Sequence, residues 1–388
     1  MRRLILSPLW ILLLLPGYVG WRLLSALSLG PQGVLAGIVL LTACCWLIPI
    51  SVRTRSMKNR RLAEALSWVG LTTMGFLSSL FVLALLRDLF LLGTSLLLSS
   101  QQAASWIGPS ARWTLYLTVM VTLAGFVIAR RMPGVVEVNI PVAGLPRALH
   151  GFSIAQISDV HVGPTIKRGF VEAIVRRVNG LNADLIAVTG DLVDGTVQQL
   201  AAHTAPLAEL SARHGAYFVT GNHEYYSGES AWTVEIRRLG MQVLKNEHVV
   251  LEHNGASLVL AGVTDFSAHH HDPAQRSDPK AALRGAPENA GAKILLAHQP
   301  SSAAAAASAG FDVQISGHTH GGQFWPWNLF VHWFQPFTSG LHRLKNLWVY
   351  VSRGTGYWGP PNRFGVPSEI TRIRLVSVPR EQCNVDLD

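Results

Sequence analysis

The most apolar part of the chain is its beginning, where long hydrophobic runs alternate with short polar loops. Each run approaches the ~20 residues that an α-helix needs to cross a bilayer. The runs cover residues 4–27, 33–50, 65–86 and 113–129. A shorter apolar stretch after Arg87 either extends the third helix or lies in the membrane interface. The pattern predicts a multi-span membrane anchor of about four helices over residues 1–132.

A cleaved signal peptide is the alternative interpretation of the first run. Three further apolar runs follow it, and no clear cleavage site with small residues comes after it. We therefore favour a membrane span.

Beyond residue 132 the pattern changes to short apolar runs separated by helical stretches. The runs are rich in Val, Ile and Leu, as buried strands are. Predicted strands cover residues 152–158, 184–190, 216–221, 257–263, 293–298 and 313–316, and predicted helices cover 167–181, 198–213, 229–240 and 300–309. This alternation is typical of an α/β domain, which we place at residues 133–388.

The basic charge of the chain belongs to the anchor. Residues 1–132 carry 12 Lys and Arg but 2 Asp and Glu, whereas residues 133–388 carry 20 and 21. A nucleic-acid-binding protein would carry its basic charge on the folded domain. We therefore expect no nucleic-acid partner, and we expect the lipid bilayer to be one partner.

The positive residues of the anchor cluster in particular loops. Five of them lie at 53–61, between the second and third runs, and Arg130 and Arg131 follow the fourth run. By the positive-inside rule, four spans place both the N-terminus and the α/β domain in the cytoplasm. One span more or fewer would place that domain on the other side.

Residues able to bind a metal follow five of the predicted strands. They are Asp159 and His161, Asp191, Asn222 and His223, His298, and His318 and His320. In α/β sheets, sites form beyond the carboxyl ends of the strands. We therefore expect these side chains to meet at one edge of the sheet. An extended His318-Thr319-His320 segment would direct both imidazoles to the same side.

These residue types indicate a site for two metal ions. Two Asp, one Asn and four His offer mixed oxygen and imidazole ligands, which suit manganese, iron or zinc better than calcium or magnesium. Two ions ~3.5–4 Å apart need a bridging carboxylate. Asp191 is the natural bridge, because it stands alone after its strand. A hydrogen-bonded core histidine is the alternative for any one imidazole, but not for four together.

The ordered motifs D-x-H, G-D, G-N-H-E, H and G-H-x-H resemble the calcineurin-like metallophosphoesterase family over about residues 150–375. The segment SGHTHGGQ and the multi-span beginning resemble the bacterial membrane-anchored branch of that family. The resemblance implies an α/β/β/α sandwich and a metal-dependent phosphoric ester hydrolase with two divalent ions, of which manganese is the first expectation.

The resemblance also implies a role for each residue. The first ion would be held by Asp159, His161 and His320, the second by Asn222, His298 and His318, and both by Asp191. His223 would face the leaving group without binding metal, so the expected catalytic residues are Asp191, Asn222 and His223. We expect Asp194 to orient its neighbours and Glu224 to be a local hydrogen-bond partner. We expect the tract His269–His271 to form a solvated loop rather than a third metal site, and a position beside the mouth of the active site stays open.

The expected activity is hydrolysis of phosphodiester or pyrophosphate bonds at the cell inner membrane. A membrane tether suggests a lipid-linked substrate, and a nucleotide-diphosphate sugar lipid is one candidate that the resemblance implies. The alternatives are a phosphoprotein or nucleotide phosphatase, and a membrane receptor or scaffold with an inactive site. The complete ligand set argues against the inactive site.

Overall fold

The computed structural model describes residues 8–54, 57 and 59–379. Two compact units make up the chain. The helical unit contains the described residues up to Arg130 together with the short segment Gly359–Phe364. The α/β unit contains the remaining described residues, which include all the expected site residues.

The helical unit consists of long apolar helices. They are α1 (Pro8–Leu24), α2 (Pro31–Arg53), α3 (Arg60–Leu97), α4 (Ser100–Ser105) and α5 (Ile107–Arg130). Among the described residues, three helical stretches are long and apolar enough to cross a membrane, namely Pro31–Arg53, Arg60–Leu97 and Ser100–Arg130. Helix α1 has 17 described residues, and residues 4–7 of the first predicted run lie outside the described part. The apolar stretch after Arg87 extends the third helix, which was one of its two expected positions.

Polar contacts show which helix ends meet at one end of the helical unit. The Arg22 guanidinium, near the end of α1, donates to Asp88 in the second half of α3, with 2.7 Å between Nε and Oδ2. The neighbouring Arg87 donates to the carbonyl oxygen of Ile107, at the start of α5, over 3.0 Å. The end of α1, the second half of α3 and the start of α5 therefore lie together.

The opposite end of the unit is marked by a second set of contacts. Thr54, directly after α2, contacts Ser67 near the start of α3, with 2.8 Å between the hydroxyl oxygens. The guanidinium of Arg130, at the end of α5, lies 5.4 Å from the ring centroid of Trp68. The four long helices therefore alternate in direction, and α5 ends where α2 ends.

The segment Gly359–Phe364 packs among these helices. The amide of Arg363 donates to the carbonyl oxygen of Gly125 in α5 over 3.0 Å. The Asn362 side chain lies against the same glycine, and Pro360 lies against Gly75 of α3. Glycine at both helix positions makes room for a polar segment whose Arg363 and Asn362 side chains are buried. The hydrophobic pattern does not predict this segment.

Two six-stranded sheets form the centre of the α/β unit. The strands are β1 (Gly134–Ala143), β2 (Ser153–Ile157), β3 (Leu185–Val188), β4 (Ala216–Phe218), β5 (Gln242–Val243), β6 (Glu247–His253), β7 (Ala256–Gly262), β8 (Ala292–Leu296), β9 (Val313–Ser316), β10 (Gly340–Leu344), β11 (Leu347–Val351) and β12 (Glu369–Val378). The helices are α6 (Arg168–Asn179), α7 (Val197–Thr204), α8 (Asn222–Ser227), α9 (Glu229–Arg238), α10 (Pro279–Ala282) and α11 (Ala303–Ala309).

The order of strands is β1-β12-β2-β3-β4-β5 in the first sheet and β10-β11-β9-β8-β7-β6 in the second. Side chains from both sheets, such as Ile154 and Ile294, share one buried core between them. The small residues Ala303 and Ala306 of α11 pack on the outer face of the second sheet. The α/β/β/α sandwich that the resemblance implied is confirmed.

All six predicted strands are present, with ends shifted by a few residues. The strands that the pattern misses are β1, β5, β6, β10, β11 and β12. Strands β1 and β6 carry exposed and half-buried positions, so they lack a continuous apolar run. Strand β12 pairs with β1 and β2, which lie far away in the sequence, and no local pattern announces such pairing.

The contact between α2 and α3 can be tested at two glycines of α3. A Cβ at Gly70 would collide with the carbonyl oxygen of Leu47 and with Ser51, whereas a Cβ at Gly93 meets nothing within 4 Å. Alanine is favoured over glycine by about 1 kcal/mol inside a helix. We therefore expect Gly70→Ala to lower the midpoint of thermal unfolding in detergent and Gly93→Ala to leave it unchanged or raise it. Equal effects of the two substitutions would contradict this packing.

Candidate metal centre

The expected site residues lie beyond the carboxyl ends of strands from both sheets. Asp159 follows β2 and Asp191 follows β3, and these strands are parallel neighbours in the first sheet. His298 follows β8 and His318 follows β9, which are parallel neighbours in the second sheet. The expectation of one sheet edge is therefore wrong, because the residues come from two sheets of the sandwich.

The backbone at this site is unusual. Five of the expected site residues have positive φ in the left-handed region, namely Asp159 (55°), His161 (54°), Asp191 (51°), His318 (72°) and His320 (51°). This region is uncommon for residues other than glycine and costs on the order of 1–3 kcal/mol at each position. Such strain clusters at functional sites, because the surrounding structure must enforce it.

One group of donors contains Asp159, His161 and His320. One ligand atom from each lies within 4.8 Å of the other two. The Nε2 atoms of the two imidazoles are 3.1 Å apart, and Oδ1 of Asp159 is 3.5 Å from Nε2 of His320. These three side chains converge on one point.

A second group contains Asp191, His298 and His318, again with ligand atoms within 4.8 Å of one another. Nε2 of His298 lies 3.2 Å from Oδ2 of Asp191 and 3.2 Å from Nδ1 of His318. The other nitrogen of His298, Nδ1, contacts the carbonyl oxygen of Thr189 over 2.8 Å and fixes the ring.

Asp191 stands between the two groups. Its Oδ2 lies 3.2 Å from Nε2 of His298, which belongs to the second group. The same oxygen lies 3.8 Å from Nε2 of His161, which belongs to the first group. One buried carboxylate oxygen therefore borders both sets of donors.

The segment His318-Thr319-His320 is not extended, so the condition under which both imidazoles would point to the same side is not met. The two histidines have left-handed backbone conformations, and Thr319 between them has helical φ and ψ of −75° and −19°. This tight turn directs His318 to the second group and His320 to the first. The two imidazoles are therefore divided between the groups.

The donors fit divalent metal ions. In each group two ring nitrogens face each other, which is the arrangement of ligands that share an ion rather than of side chains repelled by like charge. Oδ1 of Asn222 is buried and has no hydrogen-bond partner among the described residues. A buried acceptor without a donor costs free energy, and a cation would satisfy it. Burial, together with His298, lowers the pKa of His318 to about 3, which keeps that imidazole neutral.

His223 lies beside these groups and is held by Asp194. Nδ1 of His223 is 2.5 Å from Oδ1 of Asp194, and its Nε2 is 3.9 Å from Oδ2 of Asp191. Burial alone would lower the pKa of His223, but the carboxylates of Asp191 and Asp194 outweigh it and raise the pKa to about 9. The other Asp194 oxygen lies 3.2 Å from Nδ1 of His161. Asp194 thus holds the His223 imidazole through a hydrogen bond and lies beside that of His161, which agrees with the orienting role that we expected.

Glu224 is buried behind the site. Its carboxylate accepts from the backbone N–H groups of Asp191, Leu192 and Gly221 over 2.9, 2.8 and 2.7 Å. Burial and the nearby Asp191 raise the pKa of Glu224 to about 8, whereas three N–H donors favour its ionised form. The expected local hydrogen-bond role of Glu224 agrees with these contacts.

Two positions require glycine because neighbouring segments approach them closely. A Cβ at Gly221 would collide with the Asp191 carboxylate, and a Cβ at Gly317 would collide with Ser158 and Asp159. Neither glycine has positive φ. Glycine therefore serves here to let neighbouring segments carry their donors close together.

A profile of calcineurin-like phosphoesterases matches residues 152–322. A transmembrane protein with metallophosphoesterase domain from Danio rerio is 39% identical over 269 residues, which cover 67% of this chain and 61% of that relative. An uncharacterized metallophosphoesterase of Campylobacter jejuni is 30% identical over 263 residues, which cover 67% of this chain and 68% of that relative. The chain belongs to the calcineurin-like phosphoesterase family. The family to which the motifs pointed is thereby confirmed.

The chain spans about three fifths of the length of the relatives from Danio rerio and Bos taurus, 61% and 62%. Among solved structures, a dimetal phosphatase from Danio rerio is similar with a TM-score of 0.36 and 13% identity. That match covers 58% of this chain and 93% of the phosphatase.

Sequence reasoning missed two aromatic residues at this calcineurin-like site. The rings of Tyr226 and Trp358 lie 5.3 and 5.7 Å from the His223 ring, measured between centroids. Tyr226 follows His223 by one helical turn, so the spacing of α8 could have indicated it. Trp358 lies far from His223 in the sequence, so no spacing could have indicated its contact with that histidine.

The position of Asp191 can be tested by Asp191→Asn. The substitution keeps the shape of the side chain and removes the negative charge between the two groups of donors. We expect lower metal content at both positions, because a neutral amide cannot bridge two cations as a carboxylate does. Metal per chain, measured by mass spectrometry after equilibration with Mn²⁺, checks this expectation.

Asp278→Asn is the matched control, because Asp278 caps the short helix α10 at the surface and accepts from the amide of Ala281. Asparagine can make the same cap, so metal content should stay at the level of the unmodified protein. Two ions per chain in Asp191→Asn would refute the bridging assignment.

Proposed function

We propose that the chain is a membrane-anchored dinuclear phosphoesterase that hydrolyses phosphodiester or pyrophosphate bonds. The observation that carries this proposal is Asp191 Oδ2, which borders one donor group at 3.8 Å and the other at 3.2 Å. The ligands are Asp159, His161 and His320 for one ion, and Asn222, His298 and His318 for the other, with Asp191 shared. Manganese suits this mixed set of oxygen and imidazole donors, as do iron and zinc.

Two divalent cations, when bound, supply the charge that makes hydroxide available near neutral pH. The side chains of the protein do the remaining work. The amide of Asn222 offers hydrogen-bond donors to the phosphoryl oxygens, whose negative charge grows in the transition state. Glu224 fixes the backbone of Asp191 and Gly221, and so holds the bridging carboxylate against the start of α8.

His223 has the geometry of a proton donor to the leaving group. Asp194 occupies its Nδ1, so its Nε2 is directed toward Asp191 and the donor groups. The amide of His223 donates to Oδ1 of Asp191 over 2.9 Å and fixes the start of α8. A phosphoryl group held at the donors would therefore present its leaving oxygen to this imidazole.

Membrane attachment supports a lipid-linked substrate. The anchor keeps the site near a surface where such substrates are concentrated, and a nucleotide-diphosphate sugar lipid combines a pyrophosphate bond with a membrane tail. Hydrolysis by the full-length protein in detergent with Mn²⁺ tests the reaction class. Bis-p-nitrophenyl phosphate should be cleaved faster than p-nitrophenyl phosphate. The reverse order would indicate a monoester phosphatase and overturn the diester assignment.

The α/β unit is proposed to face the cytoplasm, with the helical unit in the inner membrane. Helix α5 ends at the same end of the helical unit as α2, because Arg130 contacts Trp68 and Thr54 contacts Ser67. Arg53, Arg60 and Arg61 of the basic loop therefore lie at the same end as Arg130, and the positive-inside rule assigns this end to the cytoplasm.

The leaving-group role predicts the behaviour of His223→Ala. The variant should keep its metal and lose activity by about 10²–10⁴-fold when the leaving group needs a proton. Diphenyl phosphate and bis-p-nitrophenyl phosphate form a matched pair, because phenol is the weaker acid and the poorer leaving group. The loss should be larger for diphenyl phosphate. Equal losses with metal retained would mean that His223 stabilises phosphoryl charge, and loss of metal would make it a ligand or a structural support.

The orientation predicts the location of two reporters. A reporter fused after residue 388 should behave as cytoplasmic, and one inserted after Leu98, between α3 and α4, should behave as exported. A reporter pair that is sensitive to compartment, such as alkaline phosphatase and green fluorescent protein, provides the measurement. An exported signal from the C-terminal fusion would show that the number of spans is odd.

A further inference from the structure

Two exposed aromatic rings flank the histidine that faces the leaving group. Tyr226 and Trp358 are 55% and 52% exposed, although each contacts the buried imidazole of His223. Both rings stand nearly perpendicular to that imidazole, with interplanar angles of 69° and 77°. Large exposed apolar groups beside a polar cleft are typical of ligand-binding grooves.

The backbone that carries Trp358 is held firmly. Its amide donates to Oε1 of Gln323 over 2.8 Å, and its carbonyl oxygen accepts from Nε2 of the same side chain over 2.8 Å. Gln323 follows the donor His320 by three residues. Two hydrogen bonds therefore fix the backbone of Trp358 to the turn that carries His320. The exposed indole extends from an ordered segment.

The side chain of Tyr226 is supported by the histidine tract that the sequence singled out. Its ring meets His271 at 5.4 Å and 64°. His271 also stacks on Tyr225 at 5.6 Å and 24°, and the Tyr225 hydroxyl donates to Gln275 over 2.9 Å. His271 thus takes the position beside the mouth of the site that the sequence left open. A row of rings leads outward from His223 through Tyr226 to His271.

We infer that Tyr226 and Trp358 form a subsite for a leaving group that carries a nucleobase. This inference rests on the proposed function, because it takes His223 as the residue beside the leaving oxygen. A flat heterocycle matches flat aromatic faces, and stacking of a base on an aromatic side chain is sequence-tolerant and substantial. The row of rings extends outward from His223 through Tyr226 to His271, so a base on it would lie beyond the leaving oxygen. Rings held in fixed orientations match a planar base better than a flexible lipid chain, which has no flat face to stack.

Inhibition of bis-p-nitrophenyl phosphate hydrolysis by two related phosphates tests the subsite. Adenosine 5′-monophosphate and ribose 5-phosphate share the phosphate and the sugar and differ in the base. For the full-length protein with Mn²⁺, the inhibition constant of the nucleotide should be lower by about tenfold or more, which is the value of one stacked base. Tyr226→Ser and Trp358→Ser should each remove most of this preference and leave the constant for ribose 5-phosphate unchanged.

Three controls separate the subsite from other roles of these rings. Tyr226→Phe and Trp358→Phe keep an aromatic face and should restore the preference. Trp333→Ser removes an indole that is 67% exposed and has no contact with His223 among the described ring pairs, and it should change neither constant. Phenyl phosphate serves as a third inhibitor. Its ring is attached directly to the leaving oxygen, so it tests whether Tyr226 and Trp358 contact a ring next to the phosphate rather than a base beyond a sugar.

Several outcomes would overturn the inference. The unmodified protein could bind adenosine 5′-monophosphate no more tightly than ribose 5-phosphate. The serine variants could raise the inhibition constants of both phosphates equally. The serine substitutions could also change the inhibition constant of phenyl phosphate and of no other inhibitor. If the unmodified protein hydrolyses no phosphodiester, calorimetric titration of the Mn²⁺-loaded protein with the same two phosphates replaces the kinetic assay. A base preference in that titration would support the subsite although the proposed activity had failed.

Discussion

The structure of the site depends on one buried carboxylate, Asp191, which borders two groups of imidazoles. A carboxylate without a cationic partner is costly to bury, so its neighbours must be either protonated or bound to cations. The protein surrounds it with His161, His223 and His298, each within 4 Å. It also fixes the backbone of Asp191 through Glu224. The imidazoles and backbone groups of the site are therefore arranged around the negative charge of Asp191.

The backbone conformation of the site is a consequence of the same arrangement. Donors from five separate segments must converge within a few ångströms, and regular strands cannot turn so sharply. Left-handed residues after β2, β3 and β9 make these turns, and glycines at 221 and 317 let the segments pass close to one another. The extensive core between the two sheets supplies the stability that offsets such strain. The fold is therefore the support on which an otherwise unfavourable backbone can persist.

The α/β unit and the helical unit differ in where they place polar and charged residues. The α/β unit concentrates histidines and carboxylates at the ends of buried strands, whereas the helical unit is apolar and basic. The segment Gly359–Phe364 is the exception, because its residues pack among the helices although the chain on either side belongs to the α/β unit. Glycines at 75 and 125 receive it. Membership of the family accounts for the metal-binding residue types of the α/β unit, and the apolar helices of the helical unit are long enough to cross a membrane.

The sequence by itself determined the fold class, the central strands and the family, because apolar runs and spaced motifs are local properties. It also identified the residues that could bind metal, since each follows a strand directly. The grouping of those residues was implied by the resemblance to the family, and only the tertiary structure showed how the backbone brings them together. A turn rather than an extended segment separates His318 from His320, and two sheets rather than one supply the donors. The pairing of β12 with β1 and β2, the buried segment at 359–364 and the contact of Trp358 with His223 join residues that are distant in the sequence, and no local pattern encodes them.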